Sequence, residues 1–205
     1  MTCIQEINQN QNFTQEFNNN YNSDTQEYIY IVVSKTDTLL GKVIQRKLDV
    51  NYNHCSISLQ EDLESFWAFG RKKINNMFCA GFVEESKSRG FFEKFNTSKI
   101  AVIKVPVSGE QYKKLIDNIE VFKHQREQYT FNALGLVYCY LGIDRKRKNK
   151  YFCAQFVSEV LNSSDINLLD KPDTLVRPHD FLKLVQLEED FEIIYTGEIR
   201  NYDVS

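Results

Sequence analysis

Two side chains in this 205-residue sequence are placed to do covalent chemistry. Cys153 lies in the first turn of a helix-like run, Tyr151-Phe152-Cys153-Ala154-Gln155-Phe156-Val157-Ser158-Glu159-Val160-Leu161, and His54 opens a strand-like run, His54-Cys55-Ser56-Ile57-Ser58-Leu59. The positive end of a helix stabilises a thiolate, and a neighbouring imidazolium stabilises it further. A thiol and an imidazole so arranged are the nucleophile and the proton carrier of a cysteine hydrolase. Each also has a plainer reading. Cys153 falls on one stripe with Phe156, Val157, Val160 and Leu161, the pattern of a small core residue. His54 on its own also reads as a surface or hydrogen-bonded histidine.

Position along the chain depends on the elements that carry these residues. Tyr28-Ile29-Tyr30-Ile31-Val32-Val33 is β-branched and aromatic and predicts a buried strand. A helix is predicted over 36–47 from Leu39, Leu40 and Val43. The His54 strand, a polar turn over 60–64 and Ser65-Phe66-Trp67-Ala68-Phe69 predict an antiparallel hairpin. Alternation puts Cys55, Ile57 and Leu59 on the core face and leaves His54, Ser56 and Ser58 on a polar one. Residues 70–98 read as a charged excursion with a short ordered core, and Ile100-Ala101-Val102-Ile103-Lys104-Val105 as another strand.

Ser108-Gly109-Glu110-Gln111 has the spacing of a capping box, followed by Tyr112, Leu115, Ile116, Ile119 and Phe122 at helical period. A further helix over 131–141 stops at Gly142, and the basic run Arg145-Lys146-Arg147-Lys148 separates it from the Cys153 helix. A short helix over 179–187 and a strand over 191–195 complete the chain. Strands and helices mix without a β-α-β rhythm, so the expected class is α+β.

Composition narrows the function. A net charge of −3 gives no overall field for nucleic acid or an anionic membrane, so neither is an expected partner. No apolar run approaches the roughly 20 residues of a transmembrane helix. The first residues lack the basic and apolar regions of a secretory signal, and the five cysteines are scattered; the expectation is reduced thiols in a cytoplasmic protein. Residues 1–26 are Asn- and Gln-rich with few aliphatics, the composition of a mobile tail, and 27–205 reads as one domain. A zinc site from His54, Cys55, Cys79 and Cys139 lacks recognisable ligand spacing. His124 and His179 read as structural. The basic run reads as a solvated loop or as an anion site beside the thiol, with Arg71 and Lys72 as possible additions.

Three segments together carry a resemblance: the His54–Leu59 run, then Phe66-Trp67-Ala68-Phe69-Gly70-Arg71-Lys72, then Tyr151-Phe152-Cys153-Ala154-Gln155-Phe156-Val157. They resemble the permuted branch of the NlpC superfamily, papain-like cysteine hydrolases in which the histidine strand precedes the cysteine helix. This branch includes bacterial amidase-like proteins and, distantly, lecithin–retinol acyltransferases. Leu175-Val176-Arg177-Pro178-His179-Asp180-Phe181 is similar to the segment after the cysteine helix, and the likeness spans about residues 28–187.

The resemblance implies Cys153 as nucleophile and His54 as general base, acting without cofactor or metal on an amide or ester of a peptide, cell-wall fragment or lipid. It implies hydrolysis or acyl transfer through an acyl-enzyme, with the Cys153 N–H as one oxyanion donor and Tyr30 the candidate for a second. It also implies a polar group on the strand after the histidine to orient the ring. There, Phe66 and Ala68 share the His54 face in the simplest pairing; Ser65 requires a register shift, and Glu64 reaches only from the turn. The missing orienter supports a second expectation: a catalytically degenerate binding or interaction module that keeps the fold.

Overall fold

The structure is a computed structural model and describes residues 26–35, 52–73 and 76–204. The helix expected over 36–47 and the tail over 1–26 lie outside the described residues, except Gln26, which opens the first strand. That strand, β1 (Gln26–Lys35), sits inside a six-stranded sheet with β2 (His54–Ser58), β3 (Phe66–Lys73), β4 (Asn76–Glu85), β5 (Lys99–Ser108) and β8 (Glu192–Glu198). The spatial order is β4-β3-β2-β1-β5-β8, and every pairing is antiparallel. Among the described residues five helices accompany it: α1 (Gly90–Lys94), α2 (Gly109–His124), α3 (Ala133–Tyr140), α4 (Cys153–Asn162) and α5 (Pro178–Leu184). Two short strands, β6 (Thr130–Phe131) and β7 (Lys150–Tyr151), pair in parallel on either side of α3 in the chain. The class is α+β, an antiparallel sheet packed against helices.

The main core lies between one sheet face and helices α2 and α4. Ile29, Ile31, Val33, Cys55, Ile57 and Phe69 meet Leu115 and Ile119 of α2 and Phe156, Val157 and Val160 of α4. The α2 start follows its sequence: Ser108 accepts from the Gln111 N–H, and the Gln111 side chain accepts from the Ser108 N–H. Aromatic edges fill the space behind the cysteine helix, with Phe156 against Phe69, Phe82 and Phe122 at ring-centroid distances of 5.3, 5.5 and 5.0 Å.

Burial of the opposite face overturns one expectation. Tyr30, Val32, Phe66 and Val102 form a second cluster there with Phe92 of α1 and with Ile199 and Tyr202 near the C-terminus. The alternation on β2 holds, but Ser56 and Ser58 are 1 % and 0 % exposed rather than on a solvent face. A strand buried on both sides cannot advertise its outer face by polarity alone. The excursion expected over 70–98 also differs. Much of it is β4, a ten-residue strand pairing along β3 from Phe66↔Glu85 to Lys73↔Asn76. Its glycine and charged residues weaken the strand pattern, and cross-strand pairing overrides that local signal.

Candidate active site

Strand β2 and helix α4 meet at the point where one begins with His54 and the other with Cys153. The α4 N-terminus follows Phe152, whose backbone is extended and whose side chain caps nothing. The N–H groups of the first turn therefore have neither a cap nor an intrahelical acceptor. Val33 opposite Cys55 and Ser34 opposite His54 fix the register of β2 on β1. Cys55 packs into the same core cluster as Cys153 beneath α4, and its thiol and backbone N–H favour a thiolate at Cys153. His54, one residue earlier on the strand, lines the same cleft as Cys153, and each favours the charged form of the other.

His54 Nε2 faces a carboxylate that the sequence did not point to. It lies 3.1 Å from Glu85 Oε1 and 3.2 Å from Oε2. With Nε2 turned to Glu85, Nδ1 is the ring nitrogen left for the sulfur. Ser56 donates to Glu85 Oε2 at 2.6 Å and lies 3.3 Å from His54 Nε2. Glu85 ends β4, two strands away from β2, and it reaches over β3 because Gly70 stands between them. A Cβ at Gly70 would lie 3.4 Å from Glu85 Oε1 and 3.6 Å from His54 Cε1.

The orienter expected from the strand after the histidine is thus not there. Phe66 pairs with Ser58, so Phe66 and Ala68 do share the His54 face, as the simplest pairing has it. Ser65 donates to Glu84, and Glu64 accepts from Ser86 and Ser88. Neither approaches the ring. The one signal available in the sequence was a glycine on β3 at the position level with His54, followed by a strand ending in Glu84-Glu85.

Charge follows from this arrangement. Burial opposes an imidazolium at His54, but the Glu85 carboxylate and the Cys153 sulfur outweigh it and hold the ring well above the usual histidine range. The Cys55 thiol hydrogen bond, against the cost of burial and with help from His54, holds the Cys153 thiol well below its ordinary value. Burial pushes the Cys55 and Cys139 thiols up instead. The surroundings thus favour the anion at Cys153 and disfavour it at Cys55 and Cys139.

His54, Glu85 and Cys153 line a cleft of about 780 Å³, together with Phe152, Val176, Arg177 and Pro178. The last three belong to the segment after the cysteine helix that carried part of the resemblance. Cys153 itself is 7 % exposed and the His54 side chain 12 %, so both are recessed in the floor.

Other candidates fall elsewhere. Tyr30 shares the His54 face but pairs with Ser58 at the other end of β2, donates to Glu61 Oε2 at 2.8 Å, does not line the cleft and is no oxyanion donor. The basic run does not line the cleft: Lys146 pairs with Glu159 at 2.9 Å, Arg147 donates to Asn132 at 3.2 Å and Arg145 to Tyr138 at 3.4 Å. Arg71 and Lys72 do line it. His124 is exposed, 3.9 Å from Glu120, and His179 lies beside Asp180, outside the cleft. Among the described residues no group of three or more His, Cys, Asp or Glu side chains is arranged to hold a metal ion, and no helix is long and apolar enough to cross a membrane. Comparisons with protein-family models, with curated proteins and with solved structures find no match, so the arrangement of Cys153, His54 and Glu85 stands on its own geometry.

Proposed function

We propose that this chain is a cysteine-dependent hydrolase or acyltransferase of the permuted papain-like type, acting on an amide or ester carbonyl. One observation carries the reading: a thiol at a helix start and an imidazole held by a carboxylate line the floor of one open cleft, where each favours the charge of the other. The order of the histidine strand before the cysteine helix agrees with the resemblance in the sequence.

In this reading the Cys153 thiolate attacks the carbonyl carbon and the carbonyl electrons move to oxygen. The Cys153 N–H, free at the helix start, donates to that oxyanion. As the carbonyl re-forms, His54 Nδ1–H gives its proton to the departing amine or alkoxide, leaving a thioester on Cys153. Neutral His54 then takes a proton from water, or from an acceptor hydroxyl or amine, as that nucleophile attacks the thioester. Collapse breaks the C–S bond and restores the thiolate and the imidazolium. Glu85 holds the ring in the tautomer with Nδ1 toward sulfur and stabilises its charge without taking the proton.

The rival expectation of a non-catalytic binding module rested on the absent orienter and on the polar tail; Glu85 beside His54 weighs against the first of these. Intact-mass analysis after exposure to p-nitrophenyl acetate near neutral pH tests the proposal. An acetyl adduct on Cys153 that decays on standing, and that Cys153→Ala does not form, is the expected result. Alkylation of Cys153 by iodoacetamide no faster than that of Cys55 or Cys139 sinks it.

A further inference from the structure

The cleft is positive although the chain is not. The sequence carries a net charge of −3. Around the cleft stand Arg71, Lys72, Arg89, Lys123, Arg126 and Arg177, against Glu84, Glu85 and Glu127. Some of these charges are already matched. Lys123 pairs with Glu120 at 2.5 Å, and Glu127 is shared by Lys72 at 3.5 Å and Arg126 at 3.6 Å. Glu85 is committed to His54.

Three guanidinium groups remain with no carboxylate pairing them among the described residues. Arg177, just before α5, donates to the Cys139 carbonyl at 3.1 Å and stacks 5.0 Å over the Tyr140 ring. Arg89, just before α1, donates to the Glu64 carbonyl at 3.1 Å. Both are thereby tethered while most of their donors and their full charge are left unused. Arg71, on β3 directly after Gly70, makes no hydrogen bond or ion pair among the described residues. The three come from separate elements and line the cleft at different places: Arg89 is tied to the Glu64 carbonyl beside the start of β3, and Arg71 lies toward the other end of that strand. A cleft lined by one sign of charge in excess raises the local concentration of the opposite ion, and the guanidinium fork matches carboxylate and phosphate oxygens in pairs.

We infer that the cleft takes an acyl substrate bearing an anionic oxygen group, a carboxylate or a phosphate, which the excess of positive side chains along its lining, Arg71 among them, draws in while the carbonyl meets Cys153. The inference rests on the nucleophile reading above and adds the charge of the substrate to it. Neutral amides and esters of equal size would enter without this contribution and react more slowly.

The thiolate itself is the probe. Iodoacetate and iodoacetamide differ in charge and alkylate the same sulfur, so the ratio of their rates at Cys153 cancels the supply of thiolate and reports the local potential. The expected ratio exceeds that of free glutathione by about tenfold at low ionic strength and falls as salt is added. R71E lowers it several-fold; R71Q, which removes the charge without reversing it, gives an intermediate value and guards against a folding artefact. Slowing of iodoacetamide by succinate assigns a carboxylate, and slowing by inorganic phosphate a phosphate. A glutathione-like ratio unmoved by R71E, with rapid iodoacetamide reaction, overturns the anionic substrate and leaves the nucleophile standing. Failure of both reagents to modify Cys153 removes the nucleophile reading and this one with it.

Discussion

Glu85 grips His54 Nε2 with both carboxylate oxygens, at 3.1 and 3.2 Å, across a strand whose only side chain at that level is a hydrogen. The relationship joins β4 to β2 over Gly70 of β3. It fixes the tautomer at His54, supports the charge on the ring and thereby the anion on Cys153.

Glu85→Gln keeps the shape and removes the charge. The His54 ring loses the carboxylate that outweighs its burial, so its pKa falls; the Cys153 thiol loses imidazolium support, so its pKa rises. The pH profile of iodoacetamide alkylation at Cys153 is expected to move its acid limb to higher pH. Turnover of an activated ester is expected to fall on the order of 10²–10⁴-fold. An unchanged alkylation profile would show that Glu85 does not govern the pair.

Gly70 makes the approach possible. A methyl at this position meets Val83 Cγ2 at 3.3 Å and Glu85 Oε1 at 3.4 Å, a distance that small shifts relieve. Gly70→Ala is therefore expected to retain measurable turnover, whereas Gly70→Leu fills the space of the His54–Glu85 contact and abolishes it. Circular dichroism distinguishes this from unfolding, since the position borders the open cleft.

The thiol of Cys55 acts through Cys153. Its S–H donation is the largest influence lowering the Cys153 pKa. Cys55→Ala removes the donor, so the acid limb of Cys153 alkylation moves to higher pH; Cys55→Ser retains a donor and moves it less. Equal profiles in all three proteins would separate Cys55 from the thiolate.

Behind the cysteine helix, Asn132 is buried and caps α3, accepting from the Gly135 N–H at 2.9 Å and from Arg147 at 3.2 Å. Asn132→Ala removes the cap and leaves those donors without their acceptor, at a cost of about 1–3 kcal/mol in urea unfolding. Lys148→Ala, in the same loop, is expected to change stability by less than about 0.5 kcal/mol. A loss at Asn132 no larger than at Lys148 would contradict the role given to the basic loop.

The sequence determined the local parts. The capping box at Ser108, the helix that opens at Cys153, the turn between β2 and β3 and the alternation that sends Cys55 inward all depend on neighbouring residues, and each appears where its pattern places it. Spacing and type also singled out His54 and Cys153, because a strand start and a helix start are local facts. Tertiary structure decided the rest. That the two meet depends on packing α4 against β2, and Glu85 enters only through a pairing of β3 with β4 that residues 70–98 do not announce. The second buried face of the sheet and the positive lining of the cleft have the same origin: both are sums over segments far apart in the chain, and no local pattern encodes such a sum.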